Sequence, residues 1–229
     1  MSFAITPGVV SADNSMQLPS FPLSLQPLAL NLTALAQQHS QNPSLKIPVV
    51  GIGGCPGVGK TTITNLLVQK LKSEGISCVA VHFDDWTNPE GVRENGYFNL
   101  KGVHEFFKAF SEGLPYIEKP VVNEFTDEYS REVVDLRRVD LILFEGLLVL
   151  SGKEPVMNYF QYCNQGIFIE ANKADIERWK RARPTTVQRT DEEFAEHMEA
   201  IFAFHHENIE PFKSNAAWIV HKDVDHGYS

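Results

Sequence analysis

Positive charge is scarce in this chain. Against 29 Asp and Glu it carries 20 Lys and Arg, a formal net charge of −9, and residues 1–44 contain neither Lys nor Arg. That balance argues against a nucleic-acid or anionic-membrane surface as the main partner. The bare N-terminal stretch also excludes an arginine-rich transit peptide. Cysteine is nearly as rare. Cys55, Cys78 and Cys163 are an odd number without metal-ligand spacing, which fits free thiols in a reducing, cytoplasmic compartment rather than a disulfide framework. No apolar run approaches the ~20 residues of a membrane span, and no internal repeat is evident. With 43% hydrophobic and 21% charged residues, the remainder is ordinary for a globular domain.

Residues 1–44 are rich in Ser, Pro, Leu, Asn and Gln. Pro7, Pro19, Pro22 and Pro27 make the first half extended or poorly ordered. Leu28 to Gln38 then reads as a short helix before Pro43, burying Leu30, Leu32 and Leu35 on the main domain. The expectation is an accessory segment over 1–44, partly disordered or docked, followed by one domain over 45–229. From Lys46 onward, strand-like and helix-like patterns alternate, the signature of an α/β fold with a mostly parallel sheet and helices on both faces.

One stretch organises that domain. Gly54, Cys55, Pro56, Gly57, Val58, Gly59, Lys60 and Thr61, with Thr62 next, match a G-x-x-x-x-G-K-[ST] phosphate loop at every fixed position. A β-branched run, Ile47–Ile52, precedes it, and Ile63, Leu66, Leu67 and Leu71 follow at helical spacing. Strand, glycine loop and helix together aim backbone N–H groups and the positive helix end at a polyphosphate. Lys60 would reach the β- and γ-phosphates, and the Thr61 hydroxyl would ligate Mg²⁺.

Three acidic residues at two strand ends extend the reading. Asp84 and Asp85 end the strand-like run Ile76–Phe83, and Glu145 ends Leu141–Phe144. In open parallel sheets ligands sit beyond the carboxyl ends of strands. A carboxylate at Asp84 could accept the proton of an attacking hydroxyl, although such residues also cap turns. Glu145 stands where these proteins hold Mg²⁺ or its water.

Taken in order, Gly-Gly-Cys-Pro-Gly-Val-Gly-Lys-Thr-Thr, Phe-Asp-Asp-Trp and Leu-Phe-Glu-Gly-Leu-Leu-Val-Leu resemble the uridine kinase, phosphoribulokinase and bacterial pantothenate kinase superfamily of P-loop kinases. The resemblance spans roughly Lys46 to His221. It implies a three-layer P-loop fold, ATP with Mg²⁺, Asp84 as general base and Glu145 at the metal. It also implies an arginine-bearing lid around 173–190, in the segment Arg178-Trp179-Lys180-Arg181-Ala182-Arg183. Arg181 is the first choice for a phosphoryl clamp and Arg189 the second, and a break near Pro184 suits a moving lid.

The pattern departs from uridine kinases between Trp86 and Arg131, where Asp85, Trp86 and Thr87 replace the usual small residue, Phe and Tyr. A uridine-type base pocket is therefore not implied, and a nucleoside, sugar, polyol or pantothenate-type hydroxyl all fit. Asp85, Trp86, Arg93, Tyr97 and Arg131 are the weaker candidates for holding this acceptor. The expected partners are a small-molecule acceptor and, optionally, a second copy in a homodimer, with no nucleic acid and no membrane. Asn172-Lys173-Ala174-Asp175 imitates a guanine-reading motif but reads as a strand-to-helix turn, since no Asp-x-x-Gly element precedes it. His205 and His206 point in different directions on a helix and make no zinc pair. The rival reading is a nucleotide-dependent switch or regulatory NTPase without a small-molecule acceptor.

Overall fold

The computed structural model describes residues 21–42, 44–88, 96–123, 128–153, 157–183, 189–225 and 227–229. Its elements are α1 (Gln26–Gln41), β1 (Val49–Gly54), α2 (Lys60–Ser73), β2 (Cys78–His82), α3 (Leu100–Ser111), β3 (Tyr116–Asn123), β4 (Glu128–Asp135), β5 (Leu141–Glu145), β6 (Gly152–Lys153), β7 (Met157–Asn158), β8 (Gln165–Glu170), α4 (Lys173–Arg181), α5 (Asp191–Asn208) and β9 (Trp218–His221). Five strands form one sheet in the order β2-β5-β1-β8-β9, every pair parallel. The phosphate loop thus leaves the central strand, with β5 on one side and β8 on the other.

Alternation along the strands divides the core. Val50 and Ile52 of β1, Leu141 and Leu143 of β5, and Ile167 and Ile169 of β8 face one cluster, with Leu67 and Leu71 of α2 and Leu28 and Leu32 of α1. Val49, Ile142, Phe144 and Phe168 face the other, with Phe106 and Phe107 of α3. A period of two across strands buried on both faces needs a helical layer on each side, and this is the expected α/β architecture.

Helix α1 lies against the first cluster, with Leu28, Ala29, Leu32 and Ala36 buried. Thr33 donates to Glu74 (2.7 Å), Ser40 to Asp140 (2.7 Å), and Gln165 to Asn31 (2.8 Å). Leu30, expected in the core, is 56% exposed. The helix begins at Gln26, and its buried stripe runs 28, 32, 36 at i, i+4 spacing, which turns position 30 to solvent.

Within 115–134, β3 and β4 pair antiparallel, with Pro120 opposite Arg131 and Ile117 opposite Val134. Residues 1–20, Pro43, Arg93 and the Pro184-Thr185-Thr186 break lie outside the described residues.

Candidate active site

The phosphate loop is shaped by glycines that a side chain would obstruct. Gly57 and Gly59 have φ of 93° and 101°, a region that L-residues with side chains rarely occupy. A Cβ on Gly57 would sit 2.6 Å from Lys180 Cγ, and one on Gly59 would sit 2.7 Å from Lys222 Nζ. The loop is therefore packed between two lysines from distant parts of the chain. Lys60, 8% exposed, donates to the loop's own carbonyls at Gly54 (3.2 Å) and Cys55 (3.3 Å). Cys55 stays a thiol: burial pushes it up to about 11, against the pull of Lys60 and Lys180.

Thr61 is in the first turn of α2, and its Oγ1 donates to Glu145 Oε1 at 3.0 Å. His82 Nδ1 lies 2.8 Å from the same oxygen. The reason is topological: in the β2–β5 register His82 stands opposite Glu145, so the two side chains share one face at the sheet's carboxyl edge. Burial pushes the Glu145 carboxyl up, but the His82 hydrogen bond, the charges of Lys60 and His82, and the Thr61 hydroxyl outweigh it and hold the group low. Glu145 is therefore an anion and can only accept, so His82 Nδ1 carries the proton. The Glu145 bond is also the largest influence on His82, raising its pKa against burial. No hydrogen bond among the described residues takes Oε2 of Glu145.

Asp84 and Asp85 share a 3-10 turn, Phe83–Trp86, at the end of β2, yet they face different surroundings. Asp84 is exposed. Asp85, 8% exposed, forms an ion pair at 2.7 Å with Lys119 of β3, itself 4% exposed, and Glu132 approaches the same ammonium at 3.3 Å. Trp86 is buried edge-on to Phe106 (5.4 Å between centroids). The segments around the turn are laced together: Asn99 N donates to Trp86 O, Asn88 N to Tyr97 O, and the Tyr129 hydroxyl to Thr87 O (3.0 Å). Tyr97 is 57% exposed with its ring edge-on to Phe98. Arg131 pairs with Glu118 across the hairpin.

The arginines of α4 are held by partners outside the loop. Arg181 pairs with Asp191, donates to the Arg189 carbonyl (3.0 Å) and lies over the Phe194 ring, so it ties α4 to the start of α5. Arg178 donates to the Val224 carbonyl (3.1 Å). Lys180 instead lies against Gly57. Burial first, then the charges of Arg183, Lys60 and Arg189, pull it down to about 8, with Cys55 opposing. Lys222 sits over Trp179 at 4.1 Å. Asp175 occupies the first turn of α4, as the strand-to-helix reading has it. His206 pairs with Glu210 (2.9 Å), and no three His, Cys, Asp or Glu among the described residues are grouped so that they could hold a metal ion.

Sequence reasoning overlooked His82, Lys119, Lys180 and Lys222. His82 could have been found by aligning the carboxyl ends of the β2 and β5 runs. The three lysines carry no local signal, because tertiary contacts alone bury Lys119 and Lys222 and half-bury Lys180.

Known proteins resemble this chain along most of its length. It is 27% identical over 157 residues to a pantothenate kinase of Sorangium cellulosum, covering 62% of this chain and 51% of that protein. With a pantothenate kinase of Parvibaculum lavamentivorans it shares 26% over 224 residues, covering 79% and 68%. The chain thus spans about half the length of the first of these relatives. No protein-family model matches it. D-glycerate 3-kinase of Cryptococcus neoformans superposes with a TM-score of 0.62 at 15% identity, covering 90% of this chain and 98% of that one. A possible uridine kinase of Bacillus stearothermophilus gives 0.56 at 19%, covering 84% and 98%. The fold is the α/β fold of P-loop kinases, and these likenesses match the superfamily resemblance carried by the motifs.

Proposed function

We propose that this chain transfers the γ-phosphoryl group of ATP to a hydroxyl of a small metabolite, in the cytoplasm and with Mg²⁺. One juxtaposition supports this most. Thr61 of the phosphate loop, Glu145 at the end of β5 and Asp84 just past the end of adjacent β2 occupy a single edge of the sheet. Donor cradle, metal-holding acid and candidate base are then within one site.

The oxygen donors suit Mg²⁺, which takes one or two protein oxygens and keeps phosphate and water for the rest. Thr61 Oγ1 and Glu145 Oε2 would hold it. When bound, it neutralises charge on the β- and γ-phosphates. Loop amides and Lys60 cradle those phosphates; Lys60 exchanges its two carbonyl partners for phosphate oxygens. Asp84 accepts the acceptor's hydroxyl proton as the oxygen attacks phosphorus in line, and the P–O bond to ADP breaks. Lys180, packed against Gly57, stands beside the phosphates, while Arg181 holds the lid's two helices together.

The test is ADP release with and without acceptor, over nucleosides, sugars, polyols and pantothenate. An accepted substrate should stimulate release, and Asp84→Asn should remove that stimulation by ~10²–10⁴-fold with ATP affinity nearly unchanged. Acceptor-independent hydrolysis that is indifferent to Asp84→Asn would instead favour a switch NTPase.

A further inference from the structure

Resting on that kinase reading, we infer that the acceptor is an uncharged, hydroxyl-bearing molecule rather than a carboxylate or phosphate ester, and that it is seated between α3 and the β3–β4 hairpin. A cavity of about 620 Å³ opens there, walled by Trp86, Asn99, Phe106, Tyr116, Lys119 and Arg131, a size suited to a small metabolite. Trp86, which lines the cavity, belongs to the Phe83–Trp86 turn that also carries Asp84, the proposed base, which is itself outside the lining.

Its charges are already matched. Lys119 is held by Asp85 at 2.7 Å and by Glu132 at 3.3 Å, and Arg131 by Glu118. Glu105 and Glu118 also line the space. Glu105 has only a loose partner, Lys101 at 3.5 Å, with both side chains well exposed. Among the described residues, the two lining cations are therefore balanced by two lining carboxylates, with Asp85 as further negative charge behind Lys119.

An anionic acceptor has two ways in. It can take Lys119 from Asp85, which strands a buried carboxylate without its partner. It can share Arg131 with Glu118 while facing the charge of Glu105, a like-charge arrangement that selects against such a ligand. A neutral polyol meets neither obstacle. Ser130, the Asn99 amide N–H group and the Tyr129 hydroxyl oxygen offer uncharged polar groups in the same cavity, and Trp86 offers ring surface for its C–H faces.

Matched pairs sharing the reacting hydroxyl decide the point: pantothenate with pantothenol, D-glycerate with glycerol, gluconate with glucose, and ribulose 5-phosphate with ribulose. Acceptor-stimulated ADP release should favour the neutral member of a used pair by at least about tenfold in kcat/KM. Glu118→Gln, a change at an exposed position, should release Arg131 and move the ratio several-fold toward the anion. An anion used as well as its neutral partner overturns the inference and leaves the kinase reading intact, and so does a ratio unmoved by Glu118→Gln. If no member stimulates ADP release over acceptor-independent hydrolysis, the kinase reading itself fails, and the inference with it.

Discussion

Lys180 gives the donor side its sharpest test, because its protonation should report the arrival of phosphate. In the unliganded chain, burial and the nearby cations Arg183, Lys60 and Arg189 bring it down from lysine's ordinary 10.5 to about 8. At pH 8 roughly half of the molecules then carry a neutral amine, and at pH 9 about nine in ten. A triphosphate in the loop places several negative charges beside Gly57, against which Lys180 packs. Opposite charge at that range favours the ammonium and restores a high pKa. Nucleotide binding should therefore take up ~0.5 proton at pH 8, ~0.9 at pH 9 and under ~0.1 at pH 6.5. The sign follows for affinity: the complex holds the extra proton, so ATP binding weakens as pH climbs above 8, by up to about tenfold per pH unit. Stability of the free chain runs the other way. Unfolded chains keep this proton to about 10.5 and the folded chain to about 8, so Lys180 adds stability as pH rises through that interval. Calorimetry of a non-hydrolysable ATP analogue, in buffers of differing ionisation enthalpy, reads the proton count, with Lys180→Met as the subtraction control. Equal uptake by wild type and Lys180→Met at pH 8 and 9 would refute the placement of Lys180 beside the phosphates.

Three further perturbations probe other parts of the site and its support. His82→Phe removes the donor that holds Glu145 and should cost ~10–100-fold in activity or Mg²⁺ affinity, whereas His82→Asn, which keeps an N–H near Nδ1, should recover most of it. The Mg²⁺ dependence of fluorescent nucleotide-analogue binding checks this without turnover, and identical curves for the two variants would count against a positioning role. Asp85→Asn leaves the buried Lys119 with Glu132 as its one carboxylate partner among the described residues, so urea denaturation should show a loss toward the lower end of ~3–5 kcal/mol. Adding Lys119→Met should return much of that loss, and an additive double variant would mean that the two side chains are not coupled. Leu32→Ala should cost ~2–5 kcal/mol, while Leu30→Ala should stay within ~0.5 kcal/mol. Equal effects would contradict the seating of α1 against the core.

These predictions divide between the two sides of the site as sequence legibility did. The donor side was readable because its chemistry is carried by the backbone over a few consecutive residues. A loop that wraps phosphate needs glycine where φ is positive, lysine and threonine at the helix start, and an apolar strand before it, so Gly57, Gly59, Lys60 and Thr61 announce themselves together. The placement of Asp84 and Glu145 at the sheet edge was legible for a related reason, since each follows a hydrophobic run whose end marks that edge. What escaped depends on register and on distant pairing. His82 acquires its role from a partner 63 residues away, and Lys119 looks like a solvent-facing hairpin residue until Asp85, 34 residues earlier, buries it. Arg181, expected as a clamp, pairs with the Asp191 carboxylate and the Arg189 carbonyl, both beyond the Pro184 break and so without a signal in its own segment.

The acceptor side is built almost wholly from contacts of this second kind. Its walls come from the turn at Trp86, one face of α3 and both strands of the hairpin, and its charges are set by pairs that span those elements. A phosphate loop must remain nearly constant, since the donor does not change. A cavity made of paired side chains on a hairpin can change its acceptor by exchanging one partner of a pair while the sheet beneath stays as it is. Residues 86–131, where the sequence departs from the uridine kinase pattern, supply every wall of that cavity. On this view the departures mark the surface that selects the acceptor, and the saturated charges of Lys119 and Arg131 state which acceptors it turns away.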